Sequence, residues 1–269
     1  MAAARDALAR LGVGSTAALG VLAFGSDPER STVEITCLGR FEVRRHGEPV
    51  PTSAWQSRKA RDLLKLLAAR RGRSVAREQV MDALWPGVAP AALGNRLAVV
   101  VATVRRVLDP ARIAPLDHYV SGEDGALALD LAHVDLDVVT FLDDVVDARR
   151  AVASGDRDAA GTMLAAAVAS YRGDAFEEDP YAEWAWPVRE EARAAYAEAL
   201  HRLLGLQREA GTHDDALATA RLVLSLDAYD EAAHRACVEL LTGELRHGEA
   251  ERARVVYAAR MDELGVVVG

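Results

Sequence analysis

Ala91-Ala-Leu-Gly-Asn-Arg-Leu-Ala-Val-Val-Val-Ala-Thr-Val-Arg-Arg-Val-Leu108 is the stretch on which the fold turns. On a helix of 3.6 residues per turn, Leu93, Leu97, Val101, Val104 and Leu108 fall on one narrow stripe, while Asn95, Val99, Ala102, Thr103 and Arg106 point the other way. One face belongs to a core and the other is free to touch something. Two helices are expected upstream: Arg61-Asp-Leu-Leu-Lys-Leu-Leu-Ala-Ala-Arg70 and, after the break at Gly72, Arg77-Glu-Gln-Val-Met-Asp-Ala-Leu-Trp85. Three short helices, the last presenting small and basic residues outward, make the arrangement of a helix-turn-helix reader.

The rest of the chain limits that reading. A length of 269 residues, 51% of them hydrophobic, suits two globular domains with sizeable cores. The net charge of −9 is the wrong sign for a nucleic-acid binder until it is divided by region. Residues 1–32 balance to 0, residues 33–131 to +4 and residues 132–269 to −13. A mildly basic module joined to an acidic one fits a DNA-contacting head and a body for protein partners, against the alternative that surface charge merely drifts. Cys37 and Cys237, the only cysteines, lie far apart in sequence, in a predicted strand and on an apolar helix face. They read as two reduced core thiols, which places the chain in the cytoplasm. In residues 1–32, Asp6 interrupts the basic region of anything resembling a signal peptide, and the apolar run to Phe24 is too short and too rich in glycine to span a membrane. These residues are expected to form a tail or helical extension whose role the sequence does not give.

Between them and the helices, Val33–Leu38 and Phe41–Val43 alternate apolar and polar residues, as strands with one buried face do. Beyond the third helix, His118–Ser121 and Ala126–Leu129 flank Gly122-Glu-Asp-Gly125, a hairpin that in a winged helix would be the wing. Its tip carries Glu123 and Asp124, which repel phosphate, so insertion of the wing into a minor groove is not expected. From Val138 onward the pattern is helix after helix: 141–153, 156–171, 181–209, 214–226, 230–242 and 248–264, with Gly155, Gly211 and Gly243 near the joins. Asp214-Asp-Ala216 and Gly248-Glu-Ala250 open similar helices at the period of a tetratricopeptide repeat, and Asp158-Ala-Ala160 repeats the pattern at a longer offset. The extra residues hold Gly173–Pro180 and the aromatics Tyr181, Trp184 and Trp186, which read as core packing at a bend or as a partner or ligand surface.

Taken in order, Leu38-Gly39, Arg61-Asp-Leu-Leu-Lys-Leu-Leu67, Arg77–Trp85, Asn95-Arg-Leu97 and Val101–Arg106 resemble the DNA-binding domain of the actinobacterial antibiotic regulatory proteins, the SARP family. Val134-Asp-Leu-Asp137, Tyr171-Arg-Gly173, Ala182-Glu-Trp184, Arg189-Glu-Glu191 and Asp227–Glu231 extend the resemblance to that family's helical bacterial transcriptional activator domain. The resemblance implies a mainly α chain: a tail at 1–32, a winged helix at 33–131 with small antiparallel sheets, and an all-α tetratricopeptide-like domain at 132–269. It also implies a transcriptional activator that binds promoter DNA at direct repeats and recruits RNA polymerase; the acidic helical domain is expected to dimerise, to sense a signal or both, with a homodimer engaging the DNA. Larger members of the family add an ATPase domain after the helical one, so a chain stopping at Gly269 is either a small regulator or a fragment.

On the predicted third helix, Asn95, Val99, Thr103 and Arg106 are expected to read bases. Arg58, Lys59, Arg96 and Arg105 begin helices or flank the groove and are expected to hold phosphates. Val99 and Ala102 make this face less polar than is usual in the family, so base reading should be sparse and weighted to thymine methyls. There is no nucleotide-phosphate loop of the Gly-x-x-x-x-Gly-Lys-Ser/Thr type, no His-Glu-x-x-His and no Cys-x-x-Cys. No catalytic residue, cofactor, metal or membrane contact is therefore expected. The competing reading is a helical-repeat scaffold whose winged helix no longer binds DNA and only packs against protein partners.

Overall fold

The computed structural model describes residues 33–122 and 124–266. The expected tail at 1–32 and Glu123 of the wing tip lie outside them. The described residues form two compact units, one of residues 33–142 with 171–193 and the other of residues 143–170 with 194–266.

In the first unit, β1 (Val33–Thr36), β2 (Glu42–Arg45) and β3 (Glu48–Pro49) lead through a 3-10 turn, Thr52–Trp55, into α1 (Arg58–Arg70). A short strand β4 (Val75–Ala76) precedes α2 (Arg77–Leu84), and a second 3-10 turn, Pro90–Ala92, precedes α3 (Gly94–Leu108). Strands β5 (Val120–Ser121), β6 (Ala126–Leu129) and β7 (Val134–Leu136) come next. The hairpin β5–β6 is the wing, and β4 pairs with its far strand in a sheet of order β4-β6-β5. The alternation of Val33, Ile35 and Val43 buries one face of the other sheet, order β3-β2-β1-β7. In it β7 lies parallel to β1, with Ile35 opposite Leu136. Neither β4 nor β7 is visible in the sequence as a strand, because two or three residues carry no period.

Residues 171–193 complete this unit. Phe176 N–H bonds the Cys37 carbonyl at 2.8 Å, Gly39 N–H bonds the Asp174 carbonyl at 3.1 Å, and Leu38 forms a bridge with Ala175. The crossing is close enough that a Cβ on Gly173 would stand 3.3 Å from Gly39 Cα, and both glycines have positive φ. Arg189, buried, donates to four main-chain carbonyls, those of Ala175, Phe176, Asp179 and Pro180, and so fixes the turn. The line expected at 131/132 therefore differs from the way the chain clusters, since the segment read as an insertion in the second domain packs with the winged helix.

The second unit is built from the long tail of helices: α4 (Asp137–Ser154), α5 (Arg157–Ser170), α6 (Trp186–Ala210), α7 (His213–Leu226), α8 (Glu231–Gly243) and α9 (His247–Glu263). Of α4 and α6, only the parts from residue 143 and from residue 194 belong to it. Helices α5, α7 and α9 open on the repeated motif, and its alanines, Ala160, Ala216 and Ala250, are all buried to 1% exposure or less. A small residue there lets the neighbouring helix approach, which is why the repeat is legible at that position. Leu204, Leu217, Cys237, Leu240 and Leu241 form the core around α7, α8 and α9. Gly155 and Gly211 stand at the joins before α5 and α7, as expected, and take left-handed φ there. At the third join Leu245 takes that conformation and Gly243 remains helical.

Candidate nucleic-acid interface

Helix α3 is packed against α1 and against both 3-10 turns. Its buried set, Leu97, Val100, Val101, Thr103, Val104, Val107 and Leu108, covers an arc of about 160° at 100° per residue, wider than the expected stripe. The outer face is left to Asn95, Ala98, Val99, Ala102 and Arg106, all exposed, with Val99 at 66%. Arg96 is also exposed, nearer the N-terminal end.

Two expectations need correction. Thr103 is 6% exposed, and its hydroxyl donates to the Val99 carbonyl at 2.9 Å, so it faces the core and offers nothing to a base. It stands three residues after Val100 and four before Val107, both buried, and so belongs to their side of the helix. Arg105 is likewise committed inside the fold. Its Nη2 and Nε donate to the Val120 carbonyl at 2.7 and 3.1 Å, and Nη2 also bonds the Asp117 carboxylate. The guanidinium clamps the first wing strand onto α3 and is not available to a phosphate.

The N-terminus of α1 lies beside the C-terminal end of α3, where Arg106 Nη2 donates to Gln56 Oε1 at 2.7 Å. Arg58 is exposed there, and Lys59 Nζ is 3.8 Å from the Asp62 carboxylate. Burial raises the Asp62 pKa, which the charges of Lys59 and Arg58 partly counter. The first turn of α1 contains no acidic residue and Ser57 makes no side-chain cap, so the positive helix end and these cations reinforce one another.

Deeper along α1 the cations are spoken for. Lys65 is 4% exposed, and its Nζ bonds Asp179 at 2.5 Å and Glu178 at 3.1 Å. Arg61 bonds Glu178 at 3.2 Å and the Phe41 carbonyl at 2.9 Å. A cleft of about 550 Å³ beside α1 is lined by Arg58, Arg61 and Lys65 against Asp62, Glu178 and Asp179, which leaves it close to neutral. Sequence reasoning missed this brace because Glu178 and Asp179 read as a solvated acidic run, and nothing local to them indicates Lys65.

The aromatic trio differs in exposure, with Trp184 half-buried. Trp184 packs edge-on against Phe176 at 5.2 Å, whereas Tyr181 and Trp186 are 96% and 63% exposed. Both thiols are free and buried, and burial pushes their pKa values up, Cys37 furthest, with the Asp137 carboxylate beside it adding to the shift. Among the described residues no cluster of metal-ligating side chains occurs, and no helix is long and apolar enough to cross a membrane.

A three-helix reader with a β-hairpin wing, joined to an all-helical repeat unit, defines the class: a two-domain winged-helix regulator. Residues 52–121 match the family described as transcriptional regulatory protein, C terminal, and residues 136–267 match the bacterial transcriptional activator domain. These are, in this order, the two domains of a SARP-type regulator, the family that the chain resembles. It is 27% identical over 240 residues to the regulatory protein AfsR of Streptomyces griseus and 26% identical over 244 residues to AfsR of Streptomyces coelicolor. Those matches take in 87% and 89% of this chain but 23% of each relative, so the chain spans under a quarter of their length. The fold is also that of Mycobacterium tuberculosis EmbR, solved in complex with a low-affinity phosphopeptide. The TM-score is 0.73 and the identity 20%, over 89% of this chain and 62% of that one.

Proposed function

We propose that the chain is a DNA-binding transcriptional activator that lays α3 in a major groove and uses its acidic helical domain to pair with a second copy and to recruit RNA polymerase. The observation that carries this reading is the uncovered outer face of α3, where Asn95, Val99, Ala102 and Arg106 stand in a row next to the cationic start of α1. In this reading Asn95 and Arg106 supply base-edge hydrogen bonds and Val99 and Ala102 meet thymine methyls. Arg58, Lys59 and Arg96 hold phosphates. So few base contacts give one winged helix little specificity, so two copies on a direct repeat are expected, each raising the effective concentration of the other.

The test is enrichment of duplexes from a random library by the purified chain, followed by titration of variants on the enriched duplex and on a random-sequence duplex. Arg106→Ala should cost roughly 1–3 kcal/mol on the enriched duplex alone. Lys59→Ala should weaken both duplexes and lower the salt slope by about one. A library that emerges without enrichment, or two variants that bind as the parent does at every salt concentration, would leave the protein-scaffold reading in its place.

A further inference from the structure

The outer face of α3 carries one long side chain whose direction is set by another residue. Arg106 and Gln56 are both exposed, yet they are joined by the 2.7 Å bond from Nη2 to Oε1. Gln56 stands outside any α-helix. It closes the 3-10 turn Thr52–Trp55 in the left-handed region, with φ of 53°. That turn is anchored by Trp55, 5% exposed, is crossed by a bond from Ser57 N–H to the Trp55 carbonyl, and packs against α3. The backbone that carries Gln56 is therefore fixed relative to the helix that carries Arg106.

We propose that Gln56 is a positioning residue for base recognition, holding the Arg106 guanidinium in the direction from which it meets a base edge in the major groove. The inference rests on the reading of α3 as the DNA-contacting helix. An exposed arginine samples many rotamers, and ordering it at the groove costs entropy that a prior hydrogen bond removes. A guanidinium has five N–H donors, so the one hydrogen given to Gln56 leaves a pair for a guanine edge. The acceptor is neutral, so it orients the cation without cancelling its charge. Arg105 shows the opposite arrangement, since its partners include the Asp117 carboxylate and its guanidinium is turned into the fold.

The test is a double-variant cycle on two probes, a duplex enriched by the parent chain from a random library and a random-sequence duplex of equal length. Gln56→Ala should bind the enriched duplex roughly fivefold more weakly, within the range of couplings between touching side chains, and bind the random duplex as the parent does. In an Arg106→Ala background the same change should have no further effect. Gln56→Glu, which sets a carboxylate against the guanidinium, should also weaken the enriched duplex. Melting of each variant is measured alongside. If Gln56→Ala melts below the parent, Gln56→Gly, suited to the positive φ, goes through the same cycle. The inference is overturned if the Gln56 variants bind as the parent does while Arg106→Ala loses affinity, or if they cost the same factor in both backgrounds. An Arg106→Ala variant that keeps full affinity for the enriched duplex, or a parent that enriches no sequence, overturns the reading of α3 itself and this inference with it.

Discussion

Arg105 and Arg106 are neighbours in the chain with opposite occupations. A step of one residue turns the helix by about 100°, enough to carry one guanidinium to the wing and the other to the outer face. Arg105→Ala should loosen β5 and destabilise the first unit by about 1.5–3 kcal/mol, the range for hydrogen bonds to a charged group, read as a lower melting temperature. Arg105→Lys should recover little of this, because one ammonium cannot reproduce the fork on Val120 and Asp117. Parent-like melting of Arg105→Ala would show the clamp to be unimportant. Thr103→Val should leave DNA titration curves unchanged, since that side chain faces the core. The periodicity of 93–108 correctly separates Leu97 and Val104 from Asn95 and Arg106. It cannot place Thr103, because the extent of the buried arc depends on how many neighbours α3 has. Nor can it place Arg105, whose main partner is the carbonyl of Val120, a group every residue type carries.

Helix α1 shows the same limit one level up. Leu63-Leu-Lys-Leu-Leu67 reads as an apolar face with a lysine at its edge, but Lys65 is enclosed and its charge is met by Glu178 and Asp179. Removing both carboxylates, as in Glu178→Gln with Asp179→Asn, leaves an enclosed ammonium without a counter-charge and should cost about 3–5 kcal/mol. Lys65→Met keeps the volume and removes that stranded charge, so added to the double change it should recover most of the loss in urea titrations. An equal loss with and without Lys65→Met would mean that the pair itself, and not the stranded charge, carries the stability. The helices of the second unit are legible almost end to end because they either keep a 3.6 period, as α7 and α8 do, or are rich in alanine, as α5 is, and short joins separate them. Strands β4 and β7 are not, and neither is the brace, whose partners are 113 and 114 residues apart.

For the molecule as a whole, residues 132–142 and 171–193 cluster with the winged helix and not with the second unit. These bring nine acidic and three basic side chains, so the +4 of residues 33–131 becomes −2 for the whole unit. In the proposed reading, attraction to DNA then rests on the α1 start and the α3 face and not on a generally basic surface, and it should fall steeply only with those cations. A fragment ending at residue 131 lacks β7, the Asp137 carboxylate that accepts from Cys37 and Leu38 N–H at 2.8 and 3.0 Å, and the partners of Lys65. It should melt well below a fragment of residues 33–193, by tens of degrees at about 4–8 °C per kcal/mol, or fail to melt cooperatively. Similar cooperative melting of the two would show that residues 171–193 are dispensable to the head. The same topology has a consequence during synthesis. Asp179 is translated 114 residues after Lys65, which at about 5–20 residues per second is a wait of roughly 6–23 s on the ribosome. For that interval the nascent head holds an ammonium whose two counter-charges have not yet been made.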